Sequence, residues 1–262
     1  HAVGLIGSVA AGKAVLHSAA DSMKRTLLEL GGKNAMIVYP DADFNAAVDG
    51  AIRGMNFTWC GQSCGSTSRL LVHESLRARF VEALSQALPL RHKPGLATHM
   101  ATTMGALVDQ AQYQRSLFYI NTAIEEGARV VTGGSRPPDL ENGYFIQPTV
   151  LDGVQPNHRV AQEEVFGPVL SVLSWKDEAE MFSIANGVEF GLTASVWTQD
   201  LMTAHRAAAR LQAGYIWIND CSIHIPGAPF GGYKFSGVGR EESLQEMHEF
   251  TQTKNVNVSL RK

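Results

Sequence analysis

Cys64 stands among small residues, in Gly61-Gln62-Ser63-Cys64-Gly65-Ser66. Small neighbours let backbone and substrate approach a sulfur closely. A nucleophilic cysteine needs that access together with a stabilised thiolate, and backbone N–H groups can supply the second. The same surroundings also suit a free cysteine that packs as a small apolar residue. Glu29, in Leu28-Glu29-Leu30-Gly31-Gly32-Lys33, is a lone carboxylate between apolar residues. Apolar surroundings raise a carboxyl pKa toward general-base work near neutrality, whereas a glutamate on a solvated turn would read the same way. Cys60 precedes Cys64 in a C-x3-C pattern, but no second Cys/His pair completes a tetrahedral zinc site. Cys60 and Cys221 are read as structural, and no metal is expected.

A third candidate is Gly7-Ser8-Val9-Ala10-Ala11-Gly12-Lys13-Ala14, which follows an apolar run and nearly spells a phosphate-binding P-loop. A P-loop needs a hydroxyl after the lysine to hold Mg²⁺, and Ala14 has none. ATP hydrolysis is therefore not expected. The segment can still present backbone N–H groups to a phosphate at a helix N-terminus, or serve only as a tight strand-to-helix turn.

The elements that must position these residues alternate. Residues 35–39 read as a buried strand, and Asp41 and Asp43 offer caps for a helix whose apolar stripe is Phe44, Ala47, Val48, Ala51, Ile52 and Met55. Strand 69–73 precedes a helix capped by Ser75, with the stripe Leu76, Phe80, Leu84 and Leu88. A further helix through Tyr113, Leu117, Ile120 and Ile124 stops at Gly127, before strand 129–132. Strand 169–174, helix 177–186, strand 193–197, helix 200–212 and strand 214–218 follow. Strands separated by helices imply crossovers and an α/β fold built on a mostly parallel sheet with flanking helices. Residues 89–104 read as a loop. Val256, Val258 and Leu260 alternate with polar residues as a half-buried terminal strand.

Composition fits an ordinary globular chain: 262 residues, 45% hydrophobic, with 22 basic against 25 acidic residues. No run of basic residues suggests nucleic acid or an anionic membrane as partner. No apolar run is long enough to span a bilayer. Three cysteines are too few for a disulfide scaffold, so a reducing, cytoplasmic setting is expected. The chain lacks an initial Met and opens directly on an apolar run, as a C-terminal part of a longer protein would.

Four motifs in order carry a resemblance: Glu29-Leu-Gly-Gly-Lys33, Gly61-Gln-Ser-Cys64, Glu164-Val-Phe166-Gly-Pro168, and Pro229-Phe-Gly-Gly-Tyr-Lys-Phe-Ser-Gly-Val-Gly-Arg-Glu241. Their order and spacing, including the 35 residues between Glu29 and Cys64, resemble the C-terminal, catalytic-domain portion of the hydrolytic NAD(P)-dependent aldehyde dehydrogenases. The resemblance implies that Cys64 attacks an aldehyde as thiolate, giving a thiohemiacetal and, after hydride transfer, a thioester. Glu29 then corresponds to the base that activates water. The Cys64 N–H corresponds to one oxyanion donor, and such donors are typically worth ~3 kcal/mol. Ser8 and Gly7 correspond to the pyrophosphate turn, with Gly31 beside the cofactor. Glu164 corresponds to the ligand of the nicotinamide ribose and Phe166 to its packing neighbour. Glu29 also favours water over coenzyme A as acyl acceptor. The implied cofactor is NAD or NADP, the partner a small aldehyde, and the assembly a homodimer or homotetramer.

The same resemblance divides the chain into a remnant of a Rossmann-type cofactor domain (1–31), a catalytic domain (32–232), a return segment toward the cofactor domain (233–252) and an oligomerisation strand (253–262). The family's second oxyanion donor lies in a Pro-Trp-Asn motif that this sequence does not contain. The loop Cys221-Ser-Ile-His-Ile-Pro-Gly-Ala228 is expected to line the aldehyde's approach, its apolar content hinting at an uncharged substrate. Two other readings of the isolated chain remain open: a non-catalytic oligomerising domain, and a cysteine-dependent ester hydrolase.

Overall fold

A continuous apolar run can be buried on both faces only in the middle of a covered sheet, and that is where the strongest runs lie. The computed structural model describes residues 1–260. In chain order the elements begin with β1 (Ala2–Ile6), α1 (Val9–Ala20), β2 (Arg25–Glu29), β3 (Ala35–Val38) and α2 (Phe44–Gly54). A 3-10 turn at Phe57–Trp59 leads to β4 (Arg69–His73), α3 (Glu74–Arg91), α4 (Gln110–Glu125), β5 (Arg129–Thr132) and β6 (Thr149–Asp152). Then come α5 (Arg159–Gln162), β7 (Val169–Trp175), α6 (Glu178–Asn186), β8 (Phe190–Gly191), β9 (Thr193–Trp197), α7 (Leu201–Arg210) and β10 (Tyr215–Ile218). The chain ends with β11 (Tyr233–Lys234), β12 (Gly237–Val238) and α8 (Leu244–Glu249).

The main sheet has the order β10-β9-β3-β4-β7-β6-β5, parallel throughout except for β5, which runs antiparallel to β6 at the edge. Every residue of the central strands β3 and β9 is buried. The α/β fold with a mostly parallel sheet and flanking helices is the one the alternation implies. A separate small sheet, β1-β2-β12, joins a parallel pair to an antiparallel return. Its β1-α1-β2 unit lies within residues 1–31, and β12 brings residues 237–238 back to β2. No helix is long and apolar enough to cross a membrane among the described residues.

Four local expectations need correction. Ser75 does not cap α3; its own N–H bonds to the ring of His73, which takes the N-cap position two residues earlier. The helix also runs two residues past Pro89, where the expected loop should have begun. So close to a C-terminus a proline forfeits one backbone bond that has few successors, and Leu88 is held in the core. The terminal strand does not form: residues 253–260 join no sheet, and Val256, Val258 and Leu260 are 72%, 75% and 90% exposed. A half-buried strand needs a sheet edge to pair with, and this segment pairs with none among the described residues. Residues 261 and 262, at the end of the expected strand, lie outside the described residues. Asp41, offered as a second helix cap, accepts instead from Thr198, Gln199 and Asp200, while Asp43 caps α2.

Candidate active site

Glu29 is the last residue of β2, where a parallel strand ends and its side chain meets the crevice beyond the sheet. Its backbone is fixed on both sides: its carbonyl accepts from Gly7 N–H at 3.0 Å, and Gly237 pairs with it from β12. The side chain is 2% exposed, and Oε1 has no hydrogen-bond partner. Burial is the main cause that raises its pKa to about 7, reinforced by Glu241 and Glu164 and opposed by the neighbouring Cys64 thiol. The carboxyl is thereby poised to take or give a proton near neutrality.

Cys64 comes from the loop after the 3-10 turn and reaches the same place because Asn34 holds that loop. The Asn34 side chain donates to the carbonyls of Cys64 (2.7 Å) and Ser66 (2.9 Å) and accepts from Thr193 N–H (3.0 Å). One buried amide thus ties the nucleophile loop to strand β9. Gly61, in the same loop, has φ +65° and lies so near Gly167 that a Cβ would come within 2.2 Å of its carbonyl oxygen. The Cys64 N–H finds no acceptor among the described residues, as an oxyanion donor requires. The thiolate that attack requires is disfavoured at rest. Burial pushes the thiol pKa well up, and the Glu29 carboxylate beside it adds to the shift, outweighing the Gly65 N–H that favours the anion. The thiol and the carboxyl therefore share one proton problem, and Glu29 is the nearer home for it.

Glu164 and Phe166 lie on the segment before β7. The Glu164 Oε1 accepts from Gly32 N–H at 2.9 Å, and a Cβ on Gly31 would sit 2.3 Å from Oε2, so only glycine lets the two chains approach. Burial raises the Glu164 pKa, against the Gly32 N–H, Lys33 and Arg115, which favour its charge. Phe166 holds a left-handed backbone, φ 57°, stabilised by Gln112 Nε2 donating to the carbonyls of Val165 (2.9 Å) and Phe166 (2.8 Å). Arg115, one turn along α4, donates to the Glu164 main-chain oxygen at 2.6 Å. Neither Gln112 nor Arg115 was among the expected site residues; they lie on a polar helix face that no local motif marks.

These groups line one cavity of about 650 Å³, with Gly7, Ser8, Glu29 and Gly31 on one side and Cys64, Gln112, Arg115, Glu164 and Phe166 on the others. Ser8 caps α1 by accepting from Ala11 N–H at 3.2 Å, so the Gly7–Gly12 turn is a helix N-terminus aimed along the cavity wall. The donor set fits a dinucleotide: first-turn N–H groups for phosphate, a carboxylate for a ribose diol, and an exposed aromatic edge. Cys60 and Cys221 are buried and donate to the carbonyls of Gly105 and Gly50, as structural thiols do. Beside Cys64 pack Leu192, Tyr215, Trp217 and Phe230, with Ala228 of the 221–228 loop. That loop is less apolar than its sequence suggests, since His224 bonds the Glu242 carboxylate at 2.7 Å.

A family model described as aldehyde dehydrogenase family matches residues 1–256. The chain is 48% identical over 263 residues to aldehyde dehydrogenase tropH of Talaromyces stipitatus, covering 98% of this chain and 51% of that protein. It is 42% identical over 262 residues to betaine aldehyde dehydrogenase of Brucella anthropi, covering 99% and 53%. An NAD⁺ complex of aldehyde dehydrogenase from Bacillus cereus superposes with a TM-score of 0.95 at 40% identity, covering 99% of this chain and 52% of that one. The chain spans about half the length of the curated relatives it matches. A family match across nearly the whole sequence makes this chain a member of the aldehyde dehydrogenase family.

Proposed function

We propose that this chain carries the nucleophile and base of an enzyme that oxidises an aldehyde to a carboxylic acid with NAD or NADP. The observation that carries the reading is the contact of Cys64 with Glu29 inside the cavity that also presents Ser8, Glu164 and Phe166. A bound nicotinamide would supply the hydride acceptor; Ser8 and Gly7 would hold its pyrophosphate side, and Gly31, Glu164 and Phe166 its ribose side. The chain's own residues do the rest. Glu29 takes the Cys64 proton, directly or through water, as the sulfur bonds the carbonyl carbon. The Cys64 N–H meets the developing oxyanion, a contribution of ~3 kcal/mol for one such donor. Loss of hydride to that acceptor leaves a thioester on Cys64; Glu29 passes its proton to solvent, takes one from the water that cleaves the thioester, and the acid leaves as Cys64 regains its proton. Betaine aldehyde dehydrogenases among the relatives support an aldehyde as substrate without fixing which one.

The experiment is NADH formation by the purified chain with NAD⁺ and a panel of aliphatic and aromatic aldehydes, with Cys64→Ala alongside. Turnover that Cys64→Ala abolishes supports the reading. A folded wild-type chain that forms no NADH overturns it for this chain, which is then a non-catalytic domain of the family. A second reading has its own support, because nucleophile and base both lie in this chain: ester hydrolysis without cofactor, tested by Cys64-dependent release of nitrophenol from a nitrophenyl ester. Three free thiols support a reducing compartment, the cytoplasm. The exposed alternation at 256–260 supports pairing between copies in a homodimer or homotetramer.

A further inference from the structure

A second cavity, of about 630 Å³, opens beside the turn that leads to Cys64. Ile52 of α2, Phe57 of the 3-10 turn and Trp197 of β9 give it a buried, apolar floor. Its rim carries charges that cancel in pairs: Arg91 bonds Asp49, and Arg53 bonds Asp220 at 2.6 Å. Burial lowers the pKa of His92 against a backbone bond at Thr103, so this cavity-lining imidazole is neutral at pH 7. Two features distinguish the cavity from a gap in packing. The first is hydrogen bonding. Ser222 Oγ and His92 Nδ1 are buried without a partner among the described residues, and both residues line the cavity. An unpaired buried polar atom costs stability, and an outside group that pairs with it recovers that cost. The second feature is backbone. Asn56, Asn219 and Ser222, all in the wall, hold φ of 55°, 53° and 55°. Asn tolerates this left-handed region, whereas Ser adopts it only where its neighbours fix the chain. Around Ser222 they do: the Asp220 carbonyl accepts from Ser195 Oγ at 2.6 Å and the Ile223 carbonyl from Trp217 Nε1 at 2.8 Å. The chain is pinned on both sides of Ser222, while its own hydroxyl bonds nothing. Asn56 ties the cavity to the nucleophile turn, its carbonyl accepting from Trp59 and Gly61 N–H and its amide donating to Ser66 Oγ at 3.2 Å. Trp59 lines both this cavity and the one that holds Cys64.

We propose that this cavity is a second ligand site, beside the turn that carries Cys64, for an uncharged small molecule with a flat apolar body and one hydroxyl group. The floor and the indoles of Trp59 and Trp197 suit a ring, which gains by leaving water for an apolar surface. The paired rim charges leave no counter-ion for a charged ligand, whose desolvation would go uncompensated. A hydroxyl both donates and accepts, so it satisfies Ser222 Oγ and His92 Nδ1 whichever ring nitrogen carries the proton. The proposal does not depend on the cofactor reading, since none of the cofactor groups other than the shared Trp59 wall belongs to this cavity.

The test adds benzyl alcohol, a ring with one hydroxyl, to the nitrogen-15-labelled chain and follows the four tryptophan indole N–H signals by NMR. The Trp59 and Trp197 signals are expected to move together and to saturate, with a midpoint of roughly 1–10 mM, ordinary for so small a ligand. The Trp175 signal is expected to stay in place, because that indole donates to the Leu71 carbonyl and packs against Tyr39 elsewhere in the fold. Ser222→Ala should raise the midpoint about five-fold, the worth of one hydrogen bond. Ala46→Phe, which adds a ring at an exposed position of α2 that lines the cavity, should abolish the shifts. Benzoate and benzylammonium at the same concentrations should move neither signal. Shifts that fail to saturate overturn the proposal, as does a charged analogue that binds equally well. So does movement of Trp59 with Trp197 unmoved, which places the ligand in the Cys64 cavity instead. Should Ala46→Phe fail to fold, the Ser222→Ala midpoint decides alone, and an unchanged midpoint overturns the assignment.

Discussion

At the scale of single residues, the site is governed by where one proton resides. Cys64 and Glu29 both have raised pKa values, mainly through burial; the Glu29 charge raises the thiol's further, while the thiol's hydrogen bond lowers the carboxyl's. Replacing Glu29 by Gln removes the nearest negative charge, so the thiol should ionise more readily. Alkylation of Cys64 by iodoacetamide, mapped by peptide mass spectrometry between pH 7 and 10, is expected to reach half-maximal rate at lower pH in Glu29→Gln. An unchanged pH dependence would mean that the Glu29 charge does not act on the thiol. The same shift has a stability sign. The Glu29 pKa is raised to about 7, from 4.5, so the folded state holds its proton more tightly and stability falls as pH rises through that window. At 1.36 kcal/mol per pKa unit the cost approaches about 3 kcal/mol above pH 7. Urea melts at pH 8 should therefore find Glu29→Gln more stable than wild type by roughly 2 kcal/mol, with the gain gone by pH 4.5.

At the scale of elements, two short pieces of backbone bring three loops to one point. Asn34, just before β3, holds the Cys64 loop to β9 through three hydrogen bonds, all from a buried side chain. Asn34→Ala leaves two carbonyls and one N–H without that partner, and at ~1 kcal/mol each the loss should be about 3 kcal/mol. Chemical denaturation measures the loss, and Cys64 alkylation in the same variant should lose its sharp pH dependence as the loop loosens. Gly31 is the second piece. Its missing Cβ leaves room for Glu164, and Gly31→Ala should displace that carboxylate while leaving the main sheet intact. Calorimetry should therefore find weaker NAD⁺ binding by Gly31→Ala, with little change in far-UV circular dichroism.

At the scale of the whole molecule, two features look outward. The small sheet ends at β1, which pairs only with β2 and presents Ile6 at 68% exposure. The segment around Val256 and Val258 is open to solvent and carries an alternating apolar edge. Both are unfinished edges of the kind that pair with another chain. The 253–262 segment is proposed as the oligomerisation strand, so the double variant Val256→Asp/Val258→Asp should shift sedimentation toward the monomer while wild type sediments as a dimer or larger. Equal sedimentation of the two would remove that role.

The parallel sheet, its crossovers and the Glu29 and Cys64 motifs were legible because they are local: buried strands are continuous apolar runs, helices repeat their stripe, and a lone glutamate or cysteine among small residues stands out in a line of text. The antiparallel run of β5 at the sheet edge, the His73 cap and the passage of α3 beyond Pro89 were not, since each depends on a neighbour distant in sequence or on competition within one turn. The same holds inside the site. Asn34, Gln112 and Arg115 carry no motif; they matter because the fold sets them against Cys64, Phe166 and Glu164. The resting thiol was hidden for a similar reason: a thiolate is favoured by nearby N–H groups, but desolvation and the charge of Glu29 act through space and prevail. The sequence by itself determined which groups could do the chemistry and in what kind of fold. Only the tertiary structure decided their protonation and their partners, because burial and electrostatic coupling arise from distances between segments that the order of residues does not state.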